Sequence, residues 1–370
     1  MARKLKFDRL LFLTTLVLVA VSVVMVYSAS NLQEAGESVP SYAFLVKQAV
    51  FAAIGLVAMF IGMRIDYERY RDPRVILPLV GVTLLALVAV LIVGPEINGT
   101  HRWFAVAGVG IQPSELAKFA IILFTAAVLE RRMDQIDKAQ YALGPIAVVL
   151  APMVGLILLQ PDFGSAMALL AIVAVMVFAA GLAWRHIVYA ALSVVPFVIG
   201  FAVIAPYRVR RLTAFLDPWD DRLKDGYQVV QSLIAVGSGG LTGRGLSYSV
   251  QKLGYLPYPH TDFIYAVVAE ELGLIGASVL LACFCVITWR GLRTASRAPD
   301  AFGSFLALGL TAMIAVQALF NISVVLGLLP VKGIPLPFVS AGGSSLIVSL
   351  AGMGVLLNIS QRASATAGGG

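Results

Sequence analysis

From Ile264 to Thr288 the chain reads IYAVVAEELGLIGASVLLACFCVIT, a stretch in which only Glu270 and Glu271 carry charge. As a helix it would rise about 37 Å, enough to cross the ~30 Å hydrocarbon core of a bilayer. In lipid, backbone polar groups are satisfied only within helices or closed barrels. Further apolar segments run over about 10–28, 45–63, 75–94, 116–130, 144–160, 165–181, 187–205, 305–329 and 343–359. The expected fold is therefore an all-α polytopic membrane protein of about ten transmembrane helices, with residues 1–370 as a single integral membrane domain. One long extracytoplasmic loop, about 206–261, joins helices seven and eight, and a disordered tail is expected over about 361–370.

Composition points the same way. Apolar residues make up 59% of the 370 and charged residues 13%, against about 45–50% and about 25% in soluble domains. Mean hydropathy is +0.91. An ordinary soluble enzyme, a disordered chain and a collagen-like chain are excluded. Cys283 and Cys285 are too few for a disulfide framework, and His101, His186 and His260 are too scattered for a metal cage. The first apolar run is longer than a signal-peptide core of about 7–15 residues, so it is expected to remain as a helix.

Lysine and arginine set the orientation. Arg3, Lys4, Lys6, Arg9, Arg64, Arg69, Arg71, Arg74, Arg131, Arg132, Lys138, Arg185, Arg290, Arg293, Arg297 and Arg362 all fall on one side of the expected bundle. The short loops opposite carry only Lys47, Arg102 and Lys332. By the positive-inside rule both termini are cytoplasmic. Seven basic residues remain in the long outer loop: Arg208, Arg210, Arg211, Arg222, Lys224, Arg244 and Lys252. That rule does not account for them.

Polar residues cluster at the outer face, where each has a bland and a functional reading. In Gln112-Pro113-Ser114-Glu115-Leu116-Ala117-Lys118, Ser114 is placed to cap the fourth helix, and Val106 to Ile111 suggests a small hairpin before it. Glu115 and Lys118 share a helical face, so they either pair with each other or serve a site. In Gln160-Pro161-Asp162, the aspartate either caps the sixth helix or binds a ligand. Val229, Val230, Leu233, Ile234 and Val236 suggest an amphipathic helix on the interface, broken by Gly237-Ser238-Gly239-Gly240. The loop's arginines and aromatics suit anionic headgroups or a phosphorylated lipid. In His260-Thr261-Asp262-Phe263-Ile264, Asp262 is a cap or a reactive carboxylate. Ala266, Ala269, Gly273 and Gly276 make a stripe suited to close helix packing, and Glu270 and Glu271 need basic partners. Three prolines in the stretch from Pro330 to Ser340 rule out a helix there, so that apolar segment must fold against protein.

These motifs, with Arg102-Trp103, Ala269-Glu270-Glu271-Leu272-Gly273, Pro335-Leu336-Pro337-Phe338 and Gly342-Gly343-Ser344, make the chain resemble the SEDS family (shape, elongation, division and sporulation) of peptidoglycan glycosyltransferases. The resemblance spans nearly the whole chain. It is nearer the cell-division, FtsW-like branch than the RodA-like branch, on Arg211 to Trp219, Gln251-Lys252 and Pro330-Val331-Lys332-Gly333. Ala341 stands where the family usually has Tyr, and Tyr258-Pro259 where Glu-Ala often stands.

The resemblance implies polymerisation of lipid II onto a lipid-linked glycan strand at the outer face of the bacterial cytoplasmic membrane, at the division septum, with release of undecaprenyl pyrophosphate. It implies a class B penicillin-binding protein and other cell-division membrane proteins as partners, and no nucleic acid. Asp262 matches the family's essential loop aspartate and is the expected general base. Glu115 and Lys118 match positions important for activity and are expected in the same cavity. A sugar hydroxyl needs a proton acceptor, and a departing pyrophosphate needs positive charge. Arg102, Arg208 and Arg211 are candidates for that charge, or a divalent cation, Mg2+ or Mn2+. Asp162, Lys252 and His260 complete the expected substrate-binding set, and no protein metal site is expected. The competing readings are a lipid II flippase, since polar groups inside a bundle also suit transport, and a non-catalytic division scaffold.

Overall fold

The computed structural model describes residues 7–30, 41–97, 99–106, 109–135, 139–186, 188, 189, 192, 215–224, 226–331 and 333–366. Among them the chain is a helical bundle: α1 Arg9–Ser30, α2 Ser41–Arg64, α3 Pro73–Val93, α4 Pro113–Arg131, α5 Ala139–Leu159, α6 Phe163–Ala179, α7 Tyr227–Ser238, α8 Ile264–Arg297, α9 Ala301–Val325 and α10 Gly343–Thr366. Nine of the expected membrane segments coincide with helices among these residues. The remaining one, 187–205, lies almost entirely outside them, as do Arg208, Arg210 and Arg211. Six helices are long and apolar enough to cross a membrane, and two apolar helices are shorter.

Helix α9 fills the centre, with 78% of its apolar window buried, whereas α2, α3 and α8 each bury 28% and turn the remainder outward. Helix α4 is also enclosed, with its flank from Ala117 to Leu129 largely buried. Helices α2 and α10 approach to backbone contact. A Cβ on Gly354 would lie 2.3 Å from the Met59 carbonyl oxygen, so only glycine permits that crossing.

The helix ends sort into two layers. At one end the Asp8 amide donates to Ser360 Oγ at 3.2 Å, Arg290 pairs with Asp8, Arg71 with Glu130, and Arg362 with Asp66. The start of α1 and the end of α10 therefore lie together, as an even number of crossings requires. At the other end, Gln48 near the start of α2 donates to Ser22 of α1 at 2.6 Å. Here the hairpin β1 Phe104–Val106 and β2 Val109–Ile111 pairs antiparallel, with Phe104 opposite Ile111.

Three local expectations change. Ser114 does not cap α4. Pro113 occupies the first turn and Gln112 precedes it without a side-chain cap, because a proline's fixed φ starts the helix earlier. The tail expected to be disordered is helical as far as Thr366, since Arg362 finds Asp66. Gly273 is not simply part of a packing stripe. At φ 67 and ψ −167 it breaks α8 into Ile264–Leu272 and Leu274–Arg297.

The chain after α7 threads that break. Arg244 and Gly245 amides donate to the Glu270 and Glu271 carbonyls, while Leu274 and Ile275 amides donate to Gly240 and Leu241. The backbone groups freed by the kink are thus re-satisfied, as burial in a bundle demands. Helix α7 buries Val229, Val230, Ser232 and Ala235. Ser232 Oγ donates to the Val325 carbonyl at 2.8 Å, so one face of α7 docks on α9.

Candidate active site

The loop from His260 to Phe263 enters α8 without a cap: Phe263 holds the N-cap position and makes no side-chain bond. Asp262 is thereby released from the bland role. Its backbone is held instead. The Ala341 amide donates to the His260 carbonyl at 2.9 Å, Ser340 Oγ to the Thr261 carbonyl at 2.6 Å, and Asn321 Nδ2 to the Asp262 carbonyl at 2.8 Å. Two of these donors come from the proline-rich segment, which folds back on the loop as its composition required. Tyr258 and Phe338, with φ of 55 and 63, turn the two facing stretches. For residues with a Cβ this left-handed geometry costs about 1–2 kcal/mol each.

Among the described residues no donor reaches the Asp262 carboxylate. Gly333 lies against it, and a Cβ there would sit 3.0 Å from Oδ2. Burial pushes the Asp262 carboxyl up to about 6, the nearby Asp162 charge adds to the rise, and Arg102 opposes it. The same three residues were drawn from three separate motifs, and the fold places them within mutual electrostatic reach.

Asp162 caps α6, and its second oxygen ties α6 to the residue before α4. Oδ1 accepts from the Ser165 amide at 3.1 Å and caps α6, while Oδ2 accepts from Gln112 Nε2 at 3.0 Å. Arg102 donates through Nε to the Gln160 carbonyl at 2.8 Å and through a terminal nitrogen to the Pro161 carbonyl at 2.6 Å. It therefore braces the turn that carries Asp162. The Gln112 amide donates to Ser344 Oγ at 3.3 Å, and Ile334 fills the space over Gly164. These contacts draw the starts of α4, α6 and α10 together beside the loop that carries Asp262.

Other candidates go elsewhere. Glu115 and Lys118 form a 2.8 Å pair in which both side chains are almost fully buried, so their charges face each other. Lys252, expected to meet substrate, is spent in the interior. Its Nζ donates to Glu271 Oε1 at 2.8 Å and lies 3.1 Å from Ser28 Oγ, which also donates to Glu271. The correction has a physical cause: a buried carboxylate in α8 needed a cation, and the threaded loop supplied one. Glu270 accepts from the Val250 and Gln251 amides and faces Arg244 at 3.8 Å. His260 packs edge-on against Phe44, and burial lowers its pKa. Arg208 and Arg211 lie outside the described residues.

Three site residues lie outside the expected set: Asn321, Ser340, and Gln48, whose Nε2 donates to the Ser340 carbonyl at 3.5 Å. A polar amide inside the long apolar run of α9 was the available signal for Asn321. Ser340 and Gln48 carry no comparable mark, because their roles arise only from segments meeting in space.

The chain matches the family model described as cell cycle protein, FtsW/RodA/SpoVE, over residues 8–365. It belongs to this family. It is 43% identical to Stage V sporulation protein E of Bacillus subtilis, over 96% of this chain and 97% of that relative. It is 41% identical to the probable peptidoglycan glycosyltransferase FtsW of Geobacter metallireducens, over 98% and 96%. Among solved structures, a chain from work on structural coordination of polymerization and crosslinking by a peptidoglycan synthase complex matches with TM-score 0.81 at 32% identity, covering 97% of this chain and 99% of that one. Thermus thermophilus rod shape determining protein RodA matches with TM-score 0.71 at 32% identity, covering 97% and 98%. The SEDS resemblance, the multi-pass helical fold and the placement beside FtsW-named relatives therefore stand.

Proposed function

We infer that the chain is a peptidoglycan glycosyltransferase that polymerises lipid II, with Asp262 as its general base. The observation that carries the base assignment is a carboxylate with no donor among the described residues, on a backbone held at three successive carbonyls, beside Asp162 and Arg102. The acceptor's sugar hydroxyl attacks the anomeric carbon of the lipid-linked strand. Its proton passes to an Asp262 oxygen as the bond to polyprenyl pyrophosphate breaks. A pKa near 6 suits a base working near neutral pH. Arg102 contributes positive charge beside the leaving group, and Arg208 and Arg211 are proposed for the same task on charge alone.

The described residues hold no cluster of three or more His, Cys, Asp or Glu side chains suited to a metal. Mg2+ commonly takes one or two carboxylates and completes its shell with water and substrate phosphate. Asp162 fits that pattern and would hold Mg2+ or Mn2+ together with the pyrophosphate, leaving Asp262 as the base. Such an ion would neutralise charge on the departing diphosphate.

We place the protein in the cytoplasmic membrane with both termini inside, acting at the division septum with a class B penicillin-binding protein. A flippase needs polar groups along a path through the bilayer. Here Glu115–Lys118 and Lys252–Glu271 are closed pairs, and the unpaired carboxylate sits at one end of the bundle. The test is purified protein with its partner and lipid II in detergent, where there is no membrane to cross. Glycan strands from wild type and none from Asp262→Asn, with the partner complex intact in both, are expected. Strands made equally by Asp262→Asn would remove the base assignment, and none from wild type would favour the transporter or scaffold.

A further inference from the structure

We propose that Asn321, on α9, is the positioning residue for Asp262, a role that rests on the base assignment above. Its side chain is 2% exposed. Nδ2 donates to the Asp262 carbonyl and to the Ile334 carbonyl, each at 2.8 Å. One nitrogen thus ties the loop bearing the base to the segment packed on its carboxylate. A carboxamide suits this because its two hydrogens diverge in one plane and can serve two acceptors. The two carbonyls also set its orientation, since the flipped amide would aim oxygen at both.

Among the described residues Asn321 Oδ1 is buried without a partner. The residue is held by what it donates: an apolar side chain there would leave the Asp262 and Ile334 carbonyls without this donor. The two remaining pins, Ser340 on the Thr261 carbonyl and Ala341 on the His260 carbonyl, come from the same segment that Asn321 anchors at Ile334. Asn321 is therefore the point where the Asp262 loop and the facing segment are both tied to the largely buried helix α9. Gly333, next to Ile334, abuts the Asp262 carboxylate, so releasing Ile334 also releases the wall beside the base.

The experiment is lipid II polymerisation by purified protein with its transpeptidase partner, with kcat, KM and thermal midpoint measured together. Asn321→Leu keeps the volume and removes the donor. It is expected to lower kcat about 10–100-fold, the scale of a misplaced catalytic group, with KM for lipid II unchanged and the midpoint modestly lowered, because the Asp262 and Ile334 carbonyls lose their donor. Asn321→Gln, which keeps a two-hydrogen donor, is expected to retain more kcat than Asn321→Leu. Gln317→Leu is the control. Gln317 lies one turn away on α9, is equally buried and has an unpartnered Oε1, and its loss is expected to leave kcat unchanged. Wild-type kcat in Asn321→Leu overturns the proposal. So does an equal loss of kcat in Gln317→Leu, a kcat in Asn321→Gln no higher than in Asn321→Leu, or a raised KM at unchanged kcat. Asp262→Asn runs beside them: activity in that variant overturns the base assignment, whereas its inactivity beside a wild-type-like Asn321→Leu overturns the positioning role alone.

Discussion

Asp262 shows how one side chain can cost stability while serving chemistry. Its ordinary carboxyl value is 3.8, and burial raises it to about 6 in the fold. Between those values the native state holds a proton that the unfolded chain has lost. The native state therefore binds more protons, and stability falls as pH rises through that window. Above it, the folded protein carries a buried charge. Asp262→Asn removes this cost, so its thermal midpoint at pH 7 is expected to exceed wild type, measured by detergent thermal denaturation. The same shift governs activity. A base must be deprotonated, so kcat is expected to rise about tenfold per pH unit below 6 and level off above it, read from a pH–rate profile. A flat profile from pH 5 to pH 8 would argue that Asp262 does not accept the proton.

At the scale of elements, the kinked α8 and the loop threaded through it form one unit. A Cβ on Gly243 would lie 2.1 Å from the Glu271 carbonyl oxygen, at a φ of 82. Gly254 has a φ of 98 but open space around it. Gly254→Ala should cost about 1–2 kcal/mol through the backbone alone. Gly243→Ala should cost clearly more, seen as a lower midpoint and yield of folded protein. The latch below it is ionic. Lys252→Met leaves Glu271 buried and unpaired, a loss of about 3–5 kcal/mol. Adding Glu271→Gln to Lys252→Met should recover part of that. If the double variant is no more stable than the single, the 2.8 Å pair is not what holds the loop. Lys118→Met is expected to behave like Lys252→Met, because the Glu115 carboxylate is equally enclosed.

For the whole molecule, the two layers of helix ends carry the topology. The contact between Asp8 and Ser360 joins the beginning of α1 to the end of α10. Reporter fusions at the two ends of the chain are expected to read the same side, and the positive-inside bias makes that side cytoplasmic. A reporter near Trp219 should read the other side. Opposite readings from the two ends would contradict the bundle as described.

Much of this architecture is written in local pattern. Apolar runs longer than a bilayer core specify helices wherever they occur, because lipid leaves the backbone no other partner. Proline and glycine mark the same joints in sequence and structure, as at Pro113 and in the segment from Pro330 to Ser340. Asp162 could be recognised as a cap because capping is a three-residue affair. Pairing was not legible in the same way. Lys252 looked like a substrate cation until the fold set it against Glu271, and Asn321 looked like one more residue of an apolar helix until its amide met two carbonyls from distant segments. Charge and hydropathy are properties of a residue and its near neighbours, whereas desolvation and hydrogen-bond partnership depend on which segments exclude water together. That is why the helices follow from residue order, while the surroundings of Asp262, and the amide that holds its loop, came only with the packed bundle.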